Sequence, residues 1–283
     1  MGKSQKDLID LRAAYAVAVA TDAGCEGTPI QAAFAAVPRE DFLPPPPWRV
    51  YGHFRDMQTD DPADLYCDAL VAIDPARGIN NGQPSLHARW LAAVAAQPGE
   101  TVVHVGCGGG YYTAMLARLV SPGGRVYAYE IEADIADLAT RSLRGYANVT
   151  VHAISGASTV LPAADVLYVN ASATAPQACW LQAMKPGARL IFPWNHAGRA
   201  SVAMLITRSR NAARKVLRAR SIGHVTFIAM EDEQEHRAEP ASGYAADDIR
   251  SLVPNEVCAA DESAVAQFDR HWFSSRAPSS FEP

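Results

Sequence analysis

The chain has 283 residues, of which 49% are hydrophobic and 19% are charged, and its formal net charge is −5. This composition predicts a globular chain with a sizeable core, and the negative charge argues against binding along a nucleic-acid backbone. Five cysteines without a C-x-x-C pair favour a reducing, cytoplasmic location, and no apolar run has the length of a membrane span.

The first hundred residues predict helices separated by loops. Helical spacing and the Thr28-Pro29 start signal place helices at residues 8–20, 28–37 and 86–96. The proline run at 44–47 breaks the pattern, residues 52–64 are polar and loop-like, and a short strand is expected within 65–73. We therefore expect residues 1–100 to form a helical and loop region on the substrate side.

From residue 101 the pattern alternates between strand and helix. Strands are expected at residues 101–105, 125–130, 149–154, 165–170 and 188–193. The helices between them are expected at residues 110–120, 132–144 and 175–184. Such alternation predicts a parallel sheet with helices on both faces.

The last part of the chain departs from this alternation. Strands at 202–207 and 225–230 are expected to form an antiparallel pair at one sheet edge, which completes a domain over residues 101–230. Residues 231–283 are acidic and polar, and they are expected to form a C-terminal appendage of helix and coil. Truncation after Met230 should then leave a folded domain.

The turn between the strands at 101–105 and 125–130 carries the most information. It reads Gly106-Cys107-Gly108-Gly109-Gly110, and the second strand ends in Glu130, 24 residues after Gly106. A strand, glycine turn, helix and acid-ended strand form a nucleotide-binding unit, in which the acid can receive ribose hydroxyls. A dinucleotide fingerprint requires a glycine where Tyr111 stands. The spacing G-x-G-x-G is instead similar to motif I of S-adenosylmethionine (SAM) dependent methyltransferases.

Several strings, in order along the chain, resemble the protein-L-isoaspartate O-methyltransferase family. They are Ala33-Phe34, Val37-Pro38-Arg39-Glu40 with Phe42, Tyr66-x-Asp68-x-Leu70, Tyr111-x-Thr113-Ala114 and Lys185 to Pro193. The resemblance covers roughly residues 8–230. It implies an α/β fold with a doubly wound, Rossmann-like methyltransferase sheet, mostly parallel with an antiparallel edge pair. It also implies SAM as cofactor and methyl transfer to a carboxylate of a peptide or small molecule.

The resemblance also implies a cofactor site along the glycine loop. Glu130 would bind the ribose, and the methionine moiety would lie over the loop. The expected cofactor-binding residues are Gly106, Cys107, Gly108, Gly110, Tyr111, Thr113, Glu130, Ile131, Ser155, Gly156 and Asn170. No metal is expected. The small size of Cys107 is a sufficient explanation for its presence inside the glycine loop. For His104, a position in the core is favoured over a catalytic role.

The chain departs from the family where the acceptor is bound. The family has a Thr-x-Ser-Gln-Pro-like segment, whereas this chain has Asn80-Asn81-Gly82-Gln83-Pro84, so that Gly82 replaces the serine. The expected catalytic residues are Asn80, Asn81, Gly82 and His87. Loss of the hydroxyl removes a donor and is expected to open space, which favours a specialised substrate over general repair. His104 and Ser155 also stand where the family has acids.

Other functions remain open from the sequence. An N- or C-methyltransferase acting on a small molecule or nucleobase would need a base, for which His87 and His196 are candidates. A catalytically silent, SAM-binding interaction protein is a further alternative. A homodimer through the C-terminal region is also expected, because Trp272 and Phe273 can pack either on the domain or on a second subunit.

Overall fold

The computed structural model describes residues 5–52, 56–195, 201–233, 237–238 and 245–281. The chain divides into two compact units. Unit 1 comprises residues 1–100 and 107–154, and unit 2 comprises residues 101–106 and 155–283. Within the described ranges, no helix combines the length and apolar character that crossing a bilayer requires.

The helices and strands are numbered in chain order. The helices are α1 (Gln5–Ala23), α2 (Pro29–Ala36), α3 (Pro84–Val94), α4 (Tyr111–Leu119), α5 (Ala133–Ser142) and α6 (Ala178–Ala183). The strands that begin before residue 150 are β1 (Trp48–Tyr51), β2 (Asp56–Thr59), β3 (Leu70–Asp74), β4 (Ile79–Asn80), β5 (Thr101–Val105), β6 (Arg125–Tyr129) and β7 (Val149–His152). The later strands are β8 (Ala164–Val169), β9 (Met184–Trp194), β10 (Ser201–Thr207), β11 (Leu217–Val225), β12 (Arg237–Ala238), β13 (Ser251–Pro254), β14 (Ala264–Phe268) and β15 (His271–Ser274).

Unit 1 combines helices α1 to α5 with two groups of strands. Strands β2, β1, β3 and β4 form a small antiparallel sheet in that order, and β6 pairs with β7 in parallel. Helix α1 buries one face because Tyr15, Ala16, Val19 and Ala20 recur at helical spacing. It ends at Gly24, whose φ of +65° suits the left-handed residue that closes a helix.

The start of helix α3 can be recognised in the sequence from Pro84, whereas its end at Ala95 has no sequence signal. Pro84 occupies the first turn, where a missing N–H costs nothing. The Asp68 carboxylate accepts hydrogen bonds from the Ser85 backbone N and Oγ, each at 2.7 Å, and so satisfies a free N–H of the first turn. The helix ends at Ala95, which has a φ of +45°.

Unit 2 is built on one mixed sheet. Its strand order is β12-β14-β15-β13-β11-β10-β9-β8-β5. Strands β5, β8 and β9 run parallel to one another. From β9 to the β12 edge of the sheet, every two neighbouring strands are antiparallel. The parallel strands have continuous apolar runs, and Val102, Val103 and Leu167 are completely buried, as expected for strands covered on both faces.

The antiparallel partner of β10 is correctly expected but wrongly placed by the sequence prediction. It was predicted at 225–230, whereas β11 spans Leu217–Val225 and further strands follow it. Leu217 and Ala219 are buried while Arg218 and Arg220 are exposed, so this stretch alternates with the period of a strand. Similarly, β2 lies within residues 52–64, which were predicted to be a loop.

The C-terminal segment is also different from its prediction. Residues 251–274 contain three strands instead of helix and coil, and β13 pairs directly with β11. Trp272 and Phe273 are completely buried. The Phe273 ring packs edge-on against Trp194 at 5.1 Å, so these strands contribute side chains to the core of unit 2.

Candidate functional site

The loop that follows β5 requires its glycines. Gly106, Gly108 and Gly110 have φ values of +69°, +54° and +94°, a region that side chains rarely adopt. Gly109 is required for a different reason, because a Cβ there would lie 2.2 Å from the Phe42 carbonyl oxygen. The backbone therefore turns tightly into α4 in a conformation that glycines allow.

Glu130 lies at the end of β6, against this loop in unit 1. The residue is 8% exposed, and its carboxylate accepts hydrogen bonds from the Gly108 N at 2.8 Å and the Glu132 N at 3.3 Å. Burial raises the pKa of Glu130, while these backbone hydrogen bonds lower it. A carboxylate has about four acceptor positions, so Glu130 retains capacity for the two hydroxyls of a ribose.

Three residues predicted to bind cofactor have buried side chains in unit 1. Burial raises the pKa of the Cys107 thiol well above its usual value, with a further contribution from Glu130, so the thiol is protonated. Thr113 is completely buried. Tyr111 is 2% exposed, and its hydroxyl lies 3.5 Å from that of Tyr15. These side chains pack beneath the loop, and a direct contact with cofactor remains a prediction.

Ile131 differs from those three, since it is 46% exposed directly after Glu130. An exposed apolar side chain beside a ribose-binding acid is suited to pack against a purine ring. This position is compatible with the predicted role in cofactor binding, which stays a prediction.

In unit 2, His104 and Asn170 lie on the neighbouring strands β5 and at the end of β8. The His104 Nε2 and Asn170 Nδ2 are 2.8 Å apart. Burial lowers the pKa of His104 to about 3, so the ring is neutral, accepts the amide N–H at Nε2 and carries its proton on Nδ1. The predicted core role of His104 agrees with this geometry.

The hydrogen bond to His104 orients the Asn170 carboxamide. Its Oδ1 is buried and has no hydrogen-bond partner among the described residues. A buried acceptor without a partner is costly, so this oxygen is a position at which a ligand donor would be favourable. Elsewhere in unit 2, the Ser155 Oγ accepts the Ala157 N–H at 3.0 Å, and the Gly156 carbonyl accepts from the Trp180 indole at 2.8 Å.

The two asparagines of the acceptor loop in unit 1 have different surroundings. Asn81 is buried, and its Oδ1 accepts from the Val71 N at 3.0 Å and from Arg39 at 3.1 Å. Asn80 is half-buried, and its Oδ1 accepts the Gly82 N–H at 3.0 Å. Asn81 thus fixes the loop to β3, and Asn80 holds the turn at Gly82. Their proposed contact with the acceptor stays a prediction.

Gly82 opens no space, which corrects the sequence expectation. Its φ is +69°, and a Cβ added to it would lie 2.3 Å from the His87 Nε2. The His87 ring is 1% exposed and stacks on Tyr112, with the ring centroids 3.6 Å apart. The Tyr112 hydroxyl donates to the Gly82 carbonyl oxygen at 3.3 Å. The imidazole therefore fills the volume that a side chain at position 82 would occupy.

The sequence prediction missed Tyr112 and the structural use of Asp68. Asp68 accepts from the Gln83 Nε2 at 2.8 Å as well as from Ser85, and so holds the segment that follows the loop. It belongs to the Tyr66-x-Asp68 string, which was the available signal. Tyr112 had no signal beyond its position after Tyr111.

His196, a candidate base, lies outside the described residues. Within the described ranges, no group of three His, Cys, Asp or Glu side chains is arranged to hold a metal.

Comparison with known proteins decides the family. The family model described as Protein-L-isoaspartate(D-aspartate) O-methyltransferase (PCMT) matches residues 18–235. This chain belongs to that family. A protein-L-isoaspartate O-methyltransferase of Aeropyrum pernix is 31% identical over 73% of this chain and 74% of its own length. One of Methylorubrum extorquens is 30% identical over 70% of this chain and 78% of its own.

Solved structures agree on the fold of this PCMT family member. A protein-L-isoaspartate O-methyltransferase superposes with a TM-score of 0.64 at 24% identity, over 81% of this chain and 66% of that one. The chain thus spans about two thirds of that structure. A putative enzyme of the same kind from Plasmodium falciparum, in complex with S-adenosyl-L-homocysteine, gives 0.63 at 16% identity, over 78% and 98% of the chains. The predicted family, Rossmann-like methyltransferase fold and SAM dependence are confirmed.

Proposed function

We propose that this PCMT family member transfers the methyl group of SAM to a carboxylate of an isoaspartyl-type site in a protein or peptide. The observation that carries the proposal is Glu130, a buried carboxylate held against the Gly108 N–H with acceptor positions to spare. SAM binds with its ribose on Glu130, its methionine moiety over residues 107–110 and its adenine beside Ile131. The contributions of Ser155, Gly156 and Asn170 stay predictions.

A carboxylate acceptor fits the side chains that this chain provides. An ordinary carboxyl group has a pKa of about 4, so it is ionised at neutral pH and attacks the methyl carbon without a general base. The enzyme then has to align the nucleophile, methyl carbon and sulfur, and to exclude water. No proton transfer is required of His87 or of the neutral His104. N- or C-methylation would require a base, so it is the second candidate.

Substrate choice is the finer part of the proposal. The absence of a hydroxyl at Gly82 supports an acceptor different from the minimal isoaspartyl site of general repair, and a cytoplasmic location is consistent with the scattered cysteines. The predicted homodimer loses part of its support, because Trp272 and Phe273 are completely buried within unit 2. Sedimentation of the intact chain would decide the oligomeric state.

The test uses methyl-labelled SAM with an isoaspartyl peptide and, as control, the same peptide with normal aspartate. A methyl ester is hydrolysed by alkali and releases labelled methanol, whereas an N- or C-methyl group does not. Alkali-labile label in a peptide or protein acceptor supports the proposal. Alkali-stable label would favour the second candidate, and calorimetric SAM binding without any transfer would indicate a silent interaction protein.

A further inference from the structure

The β3–β4 hairpin contacts both residues that donate backbone hydrogen bonds to the Glu130 carboxylate in unit 1. The donors are Gly108, at 2.8 Å, and Glu132, at 3.3 Å. In β3, the Ile73 Cδ1 lies 3.4 Å from the position that a Cβ of Gly108 would take. In the turn, the Arg77 guanidinium donates to the Glu132 carboxylate. The hairpin therefore contacts the surroundings of this acid at two separate points.

Arg77 joins the hairpin to the first turn of α5. Its Nη2 donates to the Asp134 Oδ2 at 2.5 Å, and its Nη1 donates to the Asp134 Oδ1 at 3.2 Å. Its Nε donates to the Asp74 Oδ2 at 2.7 Å, so that one guanidinium serves three carboxylates. These hydrogen bonds hold the pKa of Asp74 and that of Asp134 below their usual values. A bidentate pair fixes the relative position of its two partners, which a single-point ion pair does not.

The turn that carries Arg77 is itself ordered. The Asp74 Oδ1 accepts hydrogen bonds from the Ala76 N at 2.8 Å and the Arg77 N at 3.2 Å. Ile73 is buried in the same apolar cluster as Ile135 of α5. Because both elements are already ordered, the network loses less conformational entropy than an isolated surface ion pair does, and we expect it to stabilise more.

We propose that Arg77 is a positioning residue for the cofactor. By joining the β3–β4 turn to Asp134, it keeps the backbone donors at 108 and 132 where they orient the Glu130 carboxylate toward the ribose. The inference rests on the proposed function, in which Glu130 binds the ribose of SAM. Loss of Arg77 should therefore weaken cofactor binding and raise the KM for SAM, while kcat at saturating SAM is retained.

Charge alone predicts a different result, which makes the proposal testable. SAM has a net positive charge from its sulfonium, whereas S-adenosylhomocysteine (SAH) lacks the sulfonium and is neutral overall. If Arg77 acted only through its charge, removing it would strengthen SAM binding, removing the Asp134 charge would weaken it, and SAH binding would hardly change. Positioning predicts weaker binding of both ligands after either substitution, because each substitution breaks the same bidentate pair.

The experiment measures the affinities for SAM and SAH by calorimetry in Arg77→Met, Asp134→Asn and the double variant. Each single variant should raise the Kd of both ligands about fivefold, the size of effect expected for a bidentate surface network. The double variant should resemble either single one, since the two residues act together. Arg77→Lys should fall between, because lysine keeps the charge without the planar fork.

Two controls accompany these variants. Arg49→Met removes an arginine and its ion pair with Asp56, at 3.3 Å, from the small sheet of the same unit, and it should leave both affinities within about twofold. Glu132→Gln keeps its backbone N–H and an oxygen that accepts from Arg77, so it should also have little effect.

The second readout is hydrogen exchange in the ligand-free protein, which depends on neither cofactor nor activity. Arg77→Met should speed the exchange of amides in residues 75–80 and of the Glu132 amide by about fivefold, because the turn is released from α5. Exchange in α1 should stay unchanged, which separates a local effect from a loss of global stability. Arg49→Met should reproduce none of these changes.

Two results would overturn the proposal while leaving the proposed function intact. One is unchanged SAH affinity in Arg77→Met, with SAM affinity unchanged or higher. The other is hydrogen exchange at residues 75–80 that is the same in Arg77→Met as in the unaltered chain. If Glu130→Gln also binds SAM and SAH with unaltered affinity, the proposed cofactor site itself fails, and this inference fails with it.

Discussion

The strands beyond β11 should carry much of the stability of unit 2, and Phe273 tests this directly. Its side chain is completely buried, and the rings of Trp194 and Phe268 each lie 5.1 Å from it, edge-on. Truncation of a buried phenylalanine to alanine costs about 3–5 kcal/mol. Because both edge-to-face contacts are lost with the ring, we expect Phe273→Ala to fall in the upper half of that range, about 4–5 kcal/mol.

The assay is guanidinium unfolding followed by tryptophan fluorescence, to which Trp194 contributes. Phe281→Ala is the control, since Phe281 is only half-buried against Trp272 and should cost about 1 kcal/mol. Equal losses for the two variants would refute the reasoning.

The pairing of β13 with β11 also predicts that a chain ending at Met230 loses cooperative unfolding of unit 2, contrary to the expectation from sequence. A cooperative transition there would show that the core closes without β13 to β15.

Two further predictions concern the candidate site. Glu130→Gln should weaken SAM binding by about 1.5–3 kcal/mol in calorimetry, while Glu132→Gln should leave it nearly unchanged; equal affinities would remove Glu130 from the site. Burial lowers the pKa of His104 to about 3 and that of His271 to about 4. Between about pH 6.5 and these values, each histidine is protonated in the unfolded chain but neutral in the folded one. The free energy of unfolding therefore falls on acidification, by up to about 1.4 kcal/mol per pH unit for each histidine. His104→Gln should flatten this slope in unfolding measured from pH 7 to 5, and an unchanged slope would contradict a neutral, buried ring.

Elements with a local signal could be predicted from the sequence. The strand at 101–105 is placed correctly because an apolar run ends at a glycine turn, and Glu130 because an acid closes the next strand. The strand at 217–225 is missed because its buried positions hold only small and medium apolar residues and alternate with arginines, which gives a weak strand pattern. The packing of Trp272 stays open from the sequence, since the strand partners of a polar, acidic segment are tertiary information.

The candidate site divides in the same way. Gly108 and Gly110 could be recognised from spacing, because their backbone conformation is local. The contact between Gly82 and His87 could not, because it depends on how the loop turns into α3 and on the Tyr112 ring that fixes the imidazole. From the sequence, the missing side chain at Gly82 indicates free space. In the structure, the ring of His87, five positions later, fills that space.

The departures from the family change recognition more than chemistry. At position 104 the chain has a histidine that burial keeps neutral, where the family resemblance implies an acid, and at position 82 it has a glycine where the resemblance implies a serine. Neither change removes a group that methyl transfer to an ionised carboxylate requires, because that reaction needs alignment and no base. We expect each change to alter the hydrogen bonds that are available to a ligand. Differences from repair enzymes should therefore appear in KM and in the choice of acceptor, with kcat on a well-bound carboxylate largely retained.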